Sequence, residues 1–474
     1  MVVRSRVPGV LALLVSLSCL LLFSDPGAGV LATNDETRSP VLARDILAHG
    51  HGLLARLNGA PHLNKPPLRA WLIAFAAWPL GSLTQASAAV PSLLAALGVV
   101  VADVAREPLR VLQLYPKSDY FTGAAVQLRE LAGGLKRRGH EVVLVARPSD
   151  VWAEKARDAG IPYYPLSMTS ELDLRSVLGL VRILRAHRIQ IVHAHKGRAR
   201  TLAMLAGLFV RIPVLVLNRG VSFPLDPFNR LGYTTRRVTA IVAVCESIKR
   251  GLVAAGIDSD KIHVIYSGTD TDRFHPLVDG SSIRRELGLT PDHFVITQVG
   301  VRSWKGNDDV IDAMAMVARR APLARLLIVG ARRPEGLLER ARRRGLADNV
   351  FLWGYREDIP EILAATDCCV DASYAGLGLT GALREALAVE TAATGTAIGG
   401  NPELVIDGET GLLVPPRDPP ALAAAMVRMI EDPALRRRTA VAGRKLVEAR
   451  FSLRAKLDAT EALYRRLVAE RCRQ

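Results

Sequence analysis

The sequence has few aromatic residues and few cysteines for its length. Aromatic side chains make up 5% of its 474 residues, which argues against a surface that stacks the bases of a single-stranded nucleic acid. The five cysteines are an odd number, and no pair has the spacing of a metal site. Two of them, Cys368 and Cys369, fall in a run that predicts a buried strand. We therefore expect structural thiols in a reducing compartment.

Acidic residues are also in the minority. The chain has 46 Asp and Glu against 62 Lys and Arg, which gives a formal net charge of +16. This excess favours anionic partners such as nucleic acid, anionic lipid or a phosphorylated substrate. The basic residues are spread along the chain, and no aromatic-basic RNA-binding signature accompanies them. Helix faces attracted to a membrane surface explain the charge better, so nucleic acid is not an expected partner.

Long uncharged runs occur only near the beginning of the chain. Residues 7–23 are mostly apolar and just long enough to span a bilayer, and residues 86–101 form a second uncharged stretch. Basic residues flank the two runs on their outer sides, so the positive-inside rule places residues 25–85 outside. We expect residues 1–107 to form a membrane anchor of two transmembrane helices with an external loop. A cleaved signal peptide ending near "GVLA" is the alternative, and it leaves residues 86–101 unexplained.

Short β-rich runs alternate with helical patterns after residue 108. The first set comprises "RVLQLY", "EVVLVA", "IQIVHAH", "VLVLN" and "AIVAVC", and a second set begins with "FVITQVG", "ARLLIVG", "VFLWG" and "CCVDAS". This alternation predicts two parallel-sheet α/β units, over residues 108–275 and 276–451, with a C-terminal helix at 452–472 assigned to the first. Ligands of such sheets bind beyond the carboxyl ends of the strands, so two facing units would form a cleft.

The first unit carries two candidate features at its strand ends. Gly123 lies between a strand and a helix, where backbone N–H groups can approach an anion, although a tight turn explains it equally well. His193 and His195 end another strand and point the same way across Ala194. They are candidates for hydrogen bonds with a sugar hydroxyl, or alternatively histidines bonded to the backbone. No third ligand lies near them in the sequence, so zinc is not expected.

The second unit has a basic loop in "VGVRSWKG". Gly300 and Gly306 flank two cations, Arg302 and Lys305, in a loop that leads from a strand into a helix. Arginine offers a planar fork to phosphate oxygens and lysine a point charge, so the loop is a candidate diphosphate site. An ordinary solvated loop is the alternative.

A glycine-rich stretch, "GLGLTGALREALA", follows the strand "CCVDAS". Gly376, Gly378 and Gly381 precede a helix that carries Glu385 one turn from its start. Free N–H groups at that start can receive a phosphate, and Glu385 can accept two hydrogen bonds from a ribose diol. The stretch therefore predicts a nucleotide-sugar site. Two aspartate pairs, at 258–260 and 270–272, are instead interpreted as turn and cap residues.

These motifs in their order make the chain from about residue 109 to 467 resemble the fourth-family glycosyltransferases of the GT-B fold. The matching segments also include "WGYREDIPEIL" and "IGGNPELVIDGETGLLVPP". The resemblance implies two Rossmann-like domains facing a cleft. It also implies transfer of a sugar from a nucleotide sugar to an acceptor with retention, usually without a metal, so neither a cofactor nor a metal is expected.

The resemblance also assigns roles to individual residues. It implies that Arg302 and Lys305 hold the diphosphate, that Glu385 holds the ribose and that His195 faces the donor sugar. His195, Arg302 and Lys305 are expected to be catalytic. Besides Arg302, Lys305 and Glu385, the expected donor-binding residues are Gly123, Tyr355, Arg356, Gly378, Leu379 and Thr380. Tyr355 and Arg356 would face the base, and Gly123 would meet the phosphates from the first domain.

The chain departs from the family pattern at two positions. The family usually has a glutamate eight residues before Glu385, in contact with the donor sugar, and this chain has Leu377 there. A proline common before the next strand is replaced at Ala392. The loss of a carboxylate that binds sugar hydroxyls predicts reduced or altered use of the donor.

The first hundred residues resemble a different family. "NDETRSPVLARDILAHGHGL" and "NKPPLRAWLIAF" are similar to the start of integral-membrane glycosyltransferases that use polyprenyl-phosphate sugars. By that resemblance Asp35 matches a catalytic acidic residue of the first external loop, Glu36 stands beside it, and Lys65 matches a lysine near the lipid phosphate. We interpret this segment as an anchor with a vestigial site, and a working external site is the alternative.

The expected protein is a glycosyltransferase anchored in the inner membrane, with its GT-B domains on the cytoplasmic side. The expected partners are a nucleotide sugar, a lipid-linked or glycan acceptor of surface-polysaccharide synthesis such as lipopolysaccharide, and the membrane itself. Leu377 favours an alternative class, a catalytically degenerate GT-B module that binds nucleotide or glycan as a scaffold.

Overall fold

The chain divides into two units, residues 1–107 and 108–474. The computed structural model describes residues 43, 46–47, 56–57, 60–61, 68–78, 107–118, 122–376 and 378–472. The two predicted membrane spans lie outside the described residues. So do Asp35, Glu36, Lys65 and Leu377.

The first unit contains one helix with defined bounds, α1 (Leu68–Ala77), within its described residues. A short strand pair precedes it, in which β1 (Arg56–Leu57) runs antiparallel to β2 (Ala60–Pro61). The α1 side chains Phe75 and Trp78 are 77% and 75% exposed. No helix in the described part of the chain is both long and apolar enough to cross a membrane.

The second unit begins with a seven-stranded parallel sheet in the order β5-β4-β3-β6-β7-β8-β9. We refer to it, with its helices, as the first domain. Its strands are β3 (Arg110–Tyr115), β4 (Glu141–Ala146), β5 (Tyr163–Pro165), β6 (Ile191–His195), β7 (Val214–Arg219), β8 (Ala240–Ala243) and β9 (Ile262–Val264). Its helices are α2 (Gly123–Arg137), α3 (Asp150–Asp158), α4 (Leu174–Ala186), α5 (Gly197–Ala206), α6 (Pro227–Thr234) and α7 (Glu246–Ala254).

A six-stranded parallel sheet in the order β12-β11-β10-β13-β14-β15 follows and forms the second domain. Its strands are β10 (Phe294–Val299), β11 (Ala324–Val329), β12 (Val350–Trp353), β13 (Cys368–Asp371), β14 (Ala392–Thr396) and β15 (Leu412–Val414). The remaining helices are α8 (Ser281–Glu286), α9 (Asn307–Arg320), α10 (Glu335–Arg343), α11 (Ile359–Ala364), α12 (Gly381–Ala388), α13 (Asn401–Leu404), α14 (Pro419–Glu431), α15 (Pro433–Leu446) and α16 (Leu453–Cys472).

Both sheets are covered by helices on both faces, which is why their central strands are almost continuously apolar. All residues of β3 except the first are buried, and every residue of β6 and β13 is buried. The last helix, α16, packs through Leu457, Leu463 and Tyr464 on the first sheet, although it follows the second domain in sequence. The predicted pair of parallel-sheet α/β units is confirmed.

The chain passes between the two domains twice, and the two crossings lie side by side. The Thr269 N–H donates to the Phe451 carbonyl at 2.8 Å, and the Leu453 N–H donates to the Thr269 carbonyl at 2.7 Å. A Cβ on Gly268 would lie 2.7 Å from the Leu453 Cα, so this close approach requires glycine. The loop that follows β13 in the second domain also approaches the end of β7 in the first, because a Cβ on Gly378 would overlap the Gly220 carbonyl.

Candidate functional site

The basic loop between β10 and α9 is held by glycines with left-handed backbone angles. Gly300 has φ +95° and Gly306 has φ +63°, and a Cβ on Gly306 would overlap the Ala372 carbonyl. The Lys305 ammonium reaches the end of β13, where its Nζ lies 2.5 Å from Asp371 Oδ2. Arg302 is exposed, and no ion pair of its guanidinium is found among the described residues. One of the two predicted cations is thus anchored, and the other faces solvent.

Asp371 is a central residue of the site that the sequence analysis did not single out. Its side chain is fully buried and accepts hydrogen bonds from Lys305, from the Thr380 hydroxyl at 3.1 Å and from the Ser373 N–H at 3.2 Å. Burial tends to raise the pKa of Asp371, but the Lys305 charge and the hydrogen bonds from Lys305 and Ser373 outweigh it and hold the pKa below its usual value. A charged residue at the end of the apolar run "CCVD" was the signal that could have found it.

The glycine-rich loop brings the two domains into close contact. Gly376 has φ +64°, and a Cβ there would overlap the ring of Phe223 from the first domain. The Phe223 ring also packs edge-on against Trp304 of the basic loop, with centroids 5.9 Å apart. A Cβ on Gly378 would overlap the Gly220 carbonyl. These glycines therefore serve the junction between the domains as well as the start of α12.

Helix α12 begins without a side-chain cap. Thr380 occupies the N-cap position, but its hydroxyl donates to Asp371 instead of accepting from the helix. The first N–H groups of a helix have no partner within the helix, so these donors remain for a ligand. Leu379 is buried in the core of the second domain, which leaves only its backbone for a role in the site.

Glu385 lies one turn into α12 and points back toward its start. Its Oε1 would lie 3.5 Å from a Cβ on Gly381, so the missing side chain of Gly381 leaves room in front of the carboxylate. Burial raises the pKa of Glu385, while Arg384, Arg273 and Lys305 oppose the rise. Glu385 thus lies beside the same helix start that Thr380 and Asp371 connect to Lys305.

Arg384 connects α12 to the first domain. The Arg384 side chain is 1% exposed and donates to the Thr269 hydroxyl at 3.0 Å and to the Gly268 carbonyl at 3.3 Å. Glu130 of α2 faces this group, and burial raises its pKa against the opposing charge of Lys456. Lys456 donates to the backbone and side-chain oxygens of Gln127 at 2.7 and 2.9 Å. The sequence alone does not reveal this cluster, because its members are far apart in the chain.

His193 and His195 point the same way, as predicted, and their rings stack with centroids 4.4 Å apart. The His195 Nε2 lies 2.8 Å from Gln113 Oε1, and the His193 Nδ1 lies 2.6 Å from the Tyr464 hydroxyl. Side chains, not the backbone, are therefore the observed partners. Burial lowers the pKa of His193 to about 3 and that of His195 well below its usual value, so both rings are neutral near pH 7.

Gly123 begins α2 with open space in front of it. No described atom lies within 4 Å of a Cβ built there. The preceding Thr122 caps the helix, because its hydroxyl accepts from the Ala125 N–H at 3.3 Å and contacts the Tyr115 hydroxyl at the same distance. This terminus is therefore partly satisfied by its own side chain.

The segment predicted to face the base follows β12 at the edge of the second sheet. Tyr355 is 54% exposed. The Arg356 guanidinium stacks on Trp353 and pairs with Glu286 at 2.8 Å and Asp358 at 2.6 Å. Two strands separate β12 from β13, so the structure does not bring Arg356 into the Lys305–Asp371 cluster. Its charge is taken up by the two carboxylates.

A carboxylate of the second domain caps a helix of the first. Glu403 accepts from the N–H groups of Glu246 at 2.9 Å and Ser247 at 3.1 Å, at the start of α7. The N-cap residue of α7, Cys245, makes no side-chain cap of its own. Glu403 therefore fastens the two domains together beside the glycine-rich loop.

Several predicted structural details are also visible. Asp258 accepts from the Asp260 N–H, and Asp270 accepts from the Asp272 N–H, so both aspartate pairs are turn residues as predicted. Cys368 and Cys369 are buried and not in a disulfide. Ala392 begins β14 and is buried.

No group of three or more His, Cys, Asp or Glu side chains in the described part of the chain could hold a metal ion.

Two family models match the chain and together span more than half of it. Residues 121–273 match "Glycosyltransferase Family 4", and residues 293–432 match "Glycosyl transferases group 1". A D-inositol 3-phosphate glycosyltransferase of Segniliparus rotundus is 34% identical over 39% of this chain and 42% of its own length. The chain thus spans less than half of that curated relative. An N-acetyl-alpha-D-glucosaminyl L-malate synthase of Bacillus anthracis is 23% identical over 72% of this chain and 93% of its own.

Solved structures show the same architecture. The Anabaena protein HepE in complex with UDP-glucose is similar with a TM-score of 0.67 and 23% identity, over 75% of this chain and 99% of that one. At this identity the likeness shows the fold alone, which is GT-B.

Proposed function

Because the chain belongs to the group 1 glycosyltransferases of the GT-B fold, we propose that it transfers a sugar from a nucleotide sugar to an acceptor. One observation carries this proposal. Lys305 and the uncapped start of α12 meet at Asp371, which ends β13, and Glu385 lies against the first residue of the same helix. This is the edge at which ligands of parallel sheets bind, and the three groups suit a diphosphate and the ribose attached to it.

The transfer breaks the bond between the anomeric carbon and the diphosphate, and negative charge develops on the leaving oxygen. Lys305, Arg302 and the α12 N–H groups stabilise that charge, which is the main catalytic contribution. The acceptor hydroxyl forms the new bond and gives its proton to the departing diphosphate. We propose retention of the anomeric configuration and no metal, since the two cations and the helix start supply the positive charge that a metal would otherwise provide.

The other predicted residues have lesser roles in this scheme. His195 is neutral and its Nε2 is occupied by Gln113, so contact with the donor sugar falls to Nδ1. Tyr355 is 54% exposed, and we propose that its ring faces the base. Gly123 leaves space for a phosphate or an acceptor in front of α2.

A lipid-linked acceptor is supported by an apolar and basic surface on the first domain. Leu174 and Leu178 of α4 are 67% and 50% exposed, and Arg182 and Arg185 of the same helix are exposed too. The Arg185 guanidinium donates to the Phe209 carbonyl at 2.8 Å, which joins α4 to a further exposed aromatic ring. Such a surface suits an anionic leaflet. We propose that the protein works at the cytoplasmic face of the inner membrane in surface-polysaccharide synthesis, such as that of lipopolysaccharide.

Flotation with vesicles tests the membrane contact. The double variant Leu174→Glu, Leu178→Glu is expected to lose binding to vesicles that contain anionic lipid, because two carboxylates would face the headgroups. The control Leu323→Glu changes a leucine that is 49% exposed on the second domain and keeps the binding. Equal binding by all three proteins would contradict the proposed surface.

The alternative function is a degenerate GT-B module that binds nucleotide or glycan without transfer. Leu377 favours it, because a family carboxylate is missing at that position. Binding of a nucleoside diphosphate without turnover of any donor would support this alternative.

The test of the main proposal measures nucleoside diphosphate release from UDP-, GDP- and ADP-sugars, with and without extracted lipid acceptor. We expect acceptor-dependent release from one donor, and we expect Glu385→Ala and Lys305→Ala to abolish it. The control Glu339→Ala removes an exposed glutamate of α10 and keeps full activity. Release that survives both site variants would contradict the proposed site.

A further inference from the structure

Asp371 stands out because it is a fully buried carboxylate that contacts two predicted donor-binding residues at once. It ends β13, a strand whose other residues are two cysteines and a valine. Its Oδ2 receives both the Lys305 ammonium at 2.5 Å and the Thr380 hydroxyl at 3.1 Å. A buried carboxylate is costly unless it is paired and hydrogen-bonded, so this arrangement is strongly determined.

The first consequence concerns Lys305. Its long side chain has three rotatable donors and would otherwise sample many positions above the basic loop. One donor is fixed on Asp371, and the Lys305 side chain is 15% exposed. The remaining donors then face the open side of the site, next to the start of α12. The pair thus sets the direction from which Lys305 can meet an anion.

The second consequence concerns the start of α12. Thr122, Ser149 and Ser452 each use their hydroxyl to accept from a backbone N–H in the first turn of the following helix. Thr380 stands in the same position but donates its hydroxyl to Asp371. The first N–H groups of α12 consequently have no side-chain cap, and a phosphate can occupy their place.

We propose that Asp371 is the positioning residue of the diphosphate site. It fixes the Lys305 ammonium and turns the Thr380 hydroxyl away from α12, so that both kinds of donor face one anion. Asp371 touches neither the donor nor the reacting atoms. This inference rests on the proposed function, because it takes a nucleoside diphosphate as the ligand of the site.

Titration calorimetry with the purified full chain tests it, using whichever of UDP, GDP and ADP binds the wild type most tightly. Asp371→Asn keeps the shape and removes the charge. We expect it to weaken diphosphate binding about tenfold or more, the size of one lost charge-assisted hydrogen bond. Binding of the matching nucleoside is expected to change less than about twofold, since it makes no contact with Lys305. A loss that is equal for both ligands would overturn the inference, because general damage to the fold would explain it.

A double-mutant cycle separates positioning from a general effect. Once Lys305→Met has removed the ammonium, adding Asp371→Asn is expected to cost much less than it does in the wild type. Full additivity would overturn the inference. If Asp371→Asn alone does not fold, the pair replacement Asp371→Asn, Lys305→Met removes both charges together and keeps an amide oxygen that can accept from the Thr380 hydroxyl. It is expected to bind the diphosphate as Lys305→Met does, and much weaker binding would count against the inference.

Asp367, the residue just before β13, supplies a matched control. Its carboxylate also pairs with a cation, the Arg284 guanidinium, at 2.6 Å. Asp367, however, lies before the first residue of β13, at the end of the strand away from the site. Asp367→Asn should leave the ratio of diphosphate to nucleoside affinity unchanged. If that ratio falls as much as in Asp371→Asn, the effect is not specific to Asp371 and the inference fails.

A readout without ligand distinguishes failure of this inference from failure of the proposed function. The rate at which an amine-directed reagent modifies Lys305, followed by peptide mass spectrometry, should rise several-fold in Asp371→Asn because the ammonium is released. If the wild type binds no nucleoside diphosphate, the proposed function fails. Even then, faster modification of Lys305 in Asp371→Asn than in the wild type would support the inference that Asp371 fixes the Lys305 ammonium. An unchanged rate would overturn that inference.

Discussion

Two helices of this protein begin with the same dipeptide, Thr–Gly, and yet they present different surfaces to a ligand. At α2, the Thr122 hydroxyl caps its own helix, and the strand end beside it carries Tyr115. At α12, the Thr380 hydroxyl is drawn to a buried carboxylate, and the helix start has no side-chain cap. The difference comes from the neighbouring strand end, not from the helix. The capping of a helix start is therefore a property of the loop together with the strand behind it, and we expect the same of an anion site there.

The lysines near the two helix starts give the largest expected contrast. Lys305→Ala is expected to lower kcat/KM by about a thousandfold, because it removes a charge aimed at the leaving diphosphate. Lys117→Ala removes the lysine that follows β3 in the first domain and is expected to cost less than about threefold. Steady-state kinetics with the preferred donor measures both. Similar losses in the two variants would remove the distinction between the two helix starts.

Restoring the family carboxylate sharpens the same comparison. Leu377→Glu places an acceptor for sugar hydroxyls in the loop before α12, and a rise in kcat/KM on the order of a hundredfold with one donor is expected. The measurement is turnover across the donor panel. Unchanged turnover with every donor would show that Leu377 does not limit the enzyme.

The glycines that follow the two threonines should differ by about tenfold in their effect on diphosphate binding. A Cβ on Gly381 lies 3.5 Å from Glu385 Oε1, an ordinary contact, so Gly381→Ala folds normally but intrudes on a bound phosphate. Gly123→Ala enters open space and should leave that affinity nearly unchanged. Calorimetry on both variants decides the matter, and a greater loss from Gly123→Ala would place the phosphates at α2 instead.

The buried histidines of the first domain predict a smaller, pH-dependent effect on stability. The pKa of His193 is lowered to about 3, so the folded protein does not take up the proton that the unfolded chain binds below about pH 6.5. Its stabilising contribution is thus present above that pH and declines as the pH falls. Between pH 7.5 and 5.5 the free energy of unfolding should fall by about 1.4 kcal/mol more in the wild type than in His193→Phe. Urea denaturation measures this, and identical slopes would contradict a neutral, buried His193.

Features that depend on local sequence could be predicted. Most central strands are apolar runs, and their ends matched the structure within a few residues, but the central strand β14 ("AATGT") has no such run. Lys305 was identified because a cation between two glycines after a strong strand is a local pattern. The short edge strands β5 and β9 were missed, since three residues leave no periodicity to detect.

Features that depend on contacts between distant segments could not be predicted. Asp371 lies 66 residues from Lys305 in sequence, and Tyr464 lies 271 residues from His193. Arg384 follows the apolar pattern of α12 and gives no sign of reaching the crossing at Thr269. Only the packing of the two sheets brings these side chains together.

The most direct test of the account is a crystal structure of the full chain with the nucleoside diphosphate that binds it most tightly. We predict that the phosphates contact Lys305 Nζ and the first N–H groups of α12, with the ribose on Glu385 and Asp371 still bonded to Lys305. Phosphates bound at Gly123 of α2, with Lys305 and α12 unoccupied, would contradict it.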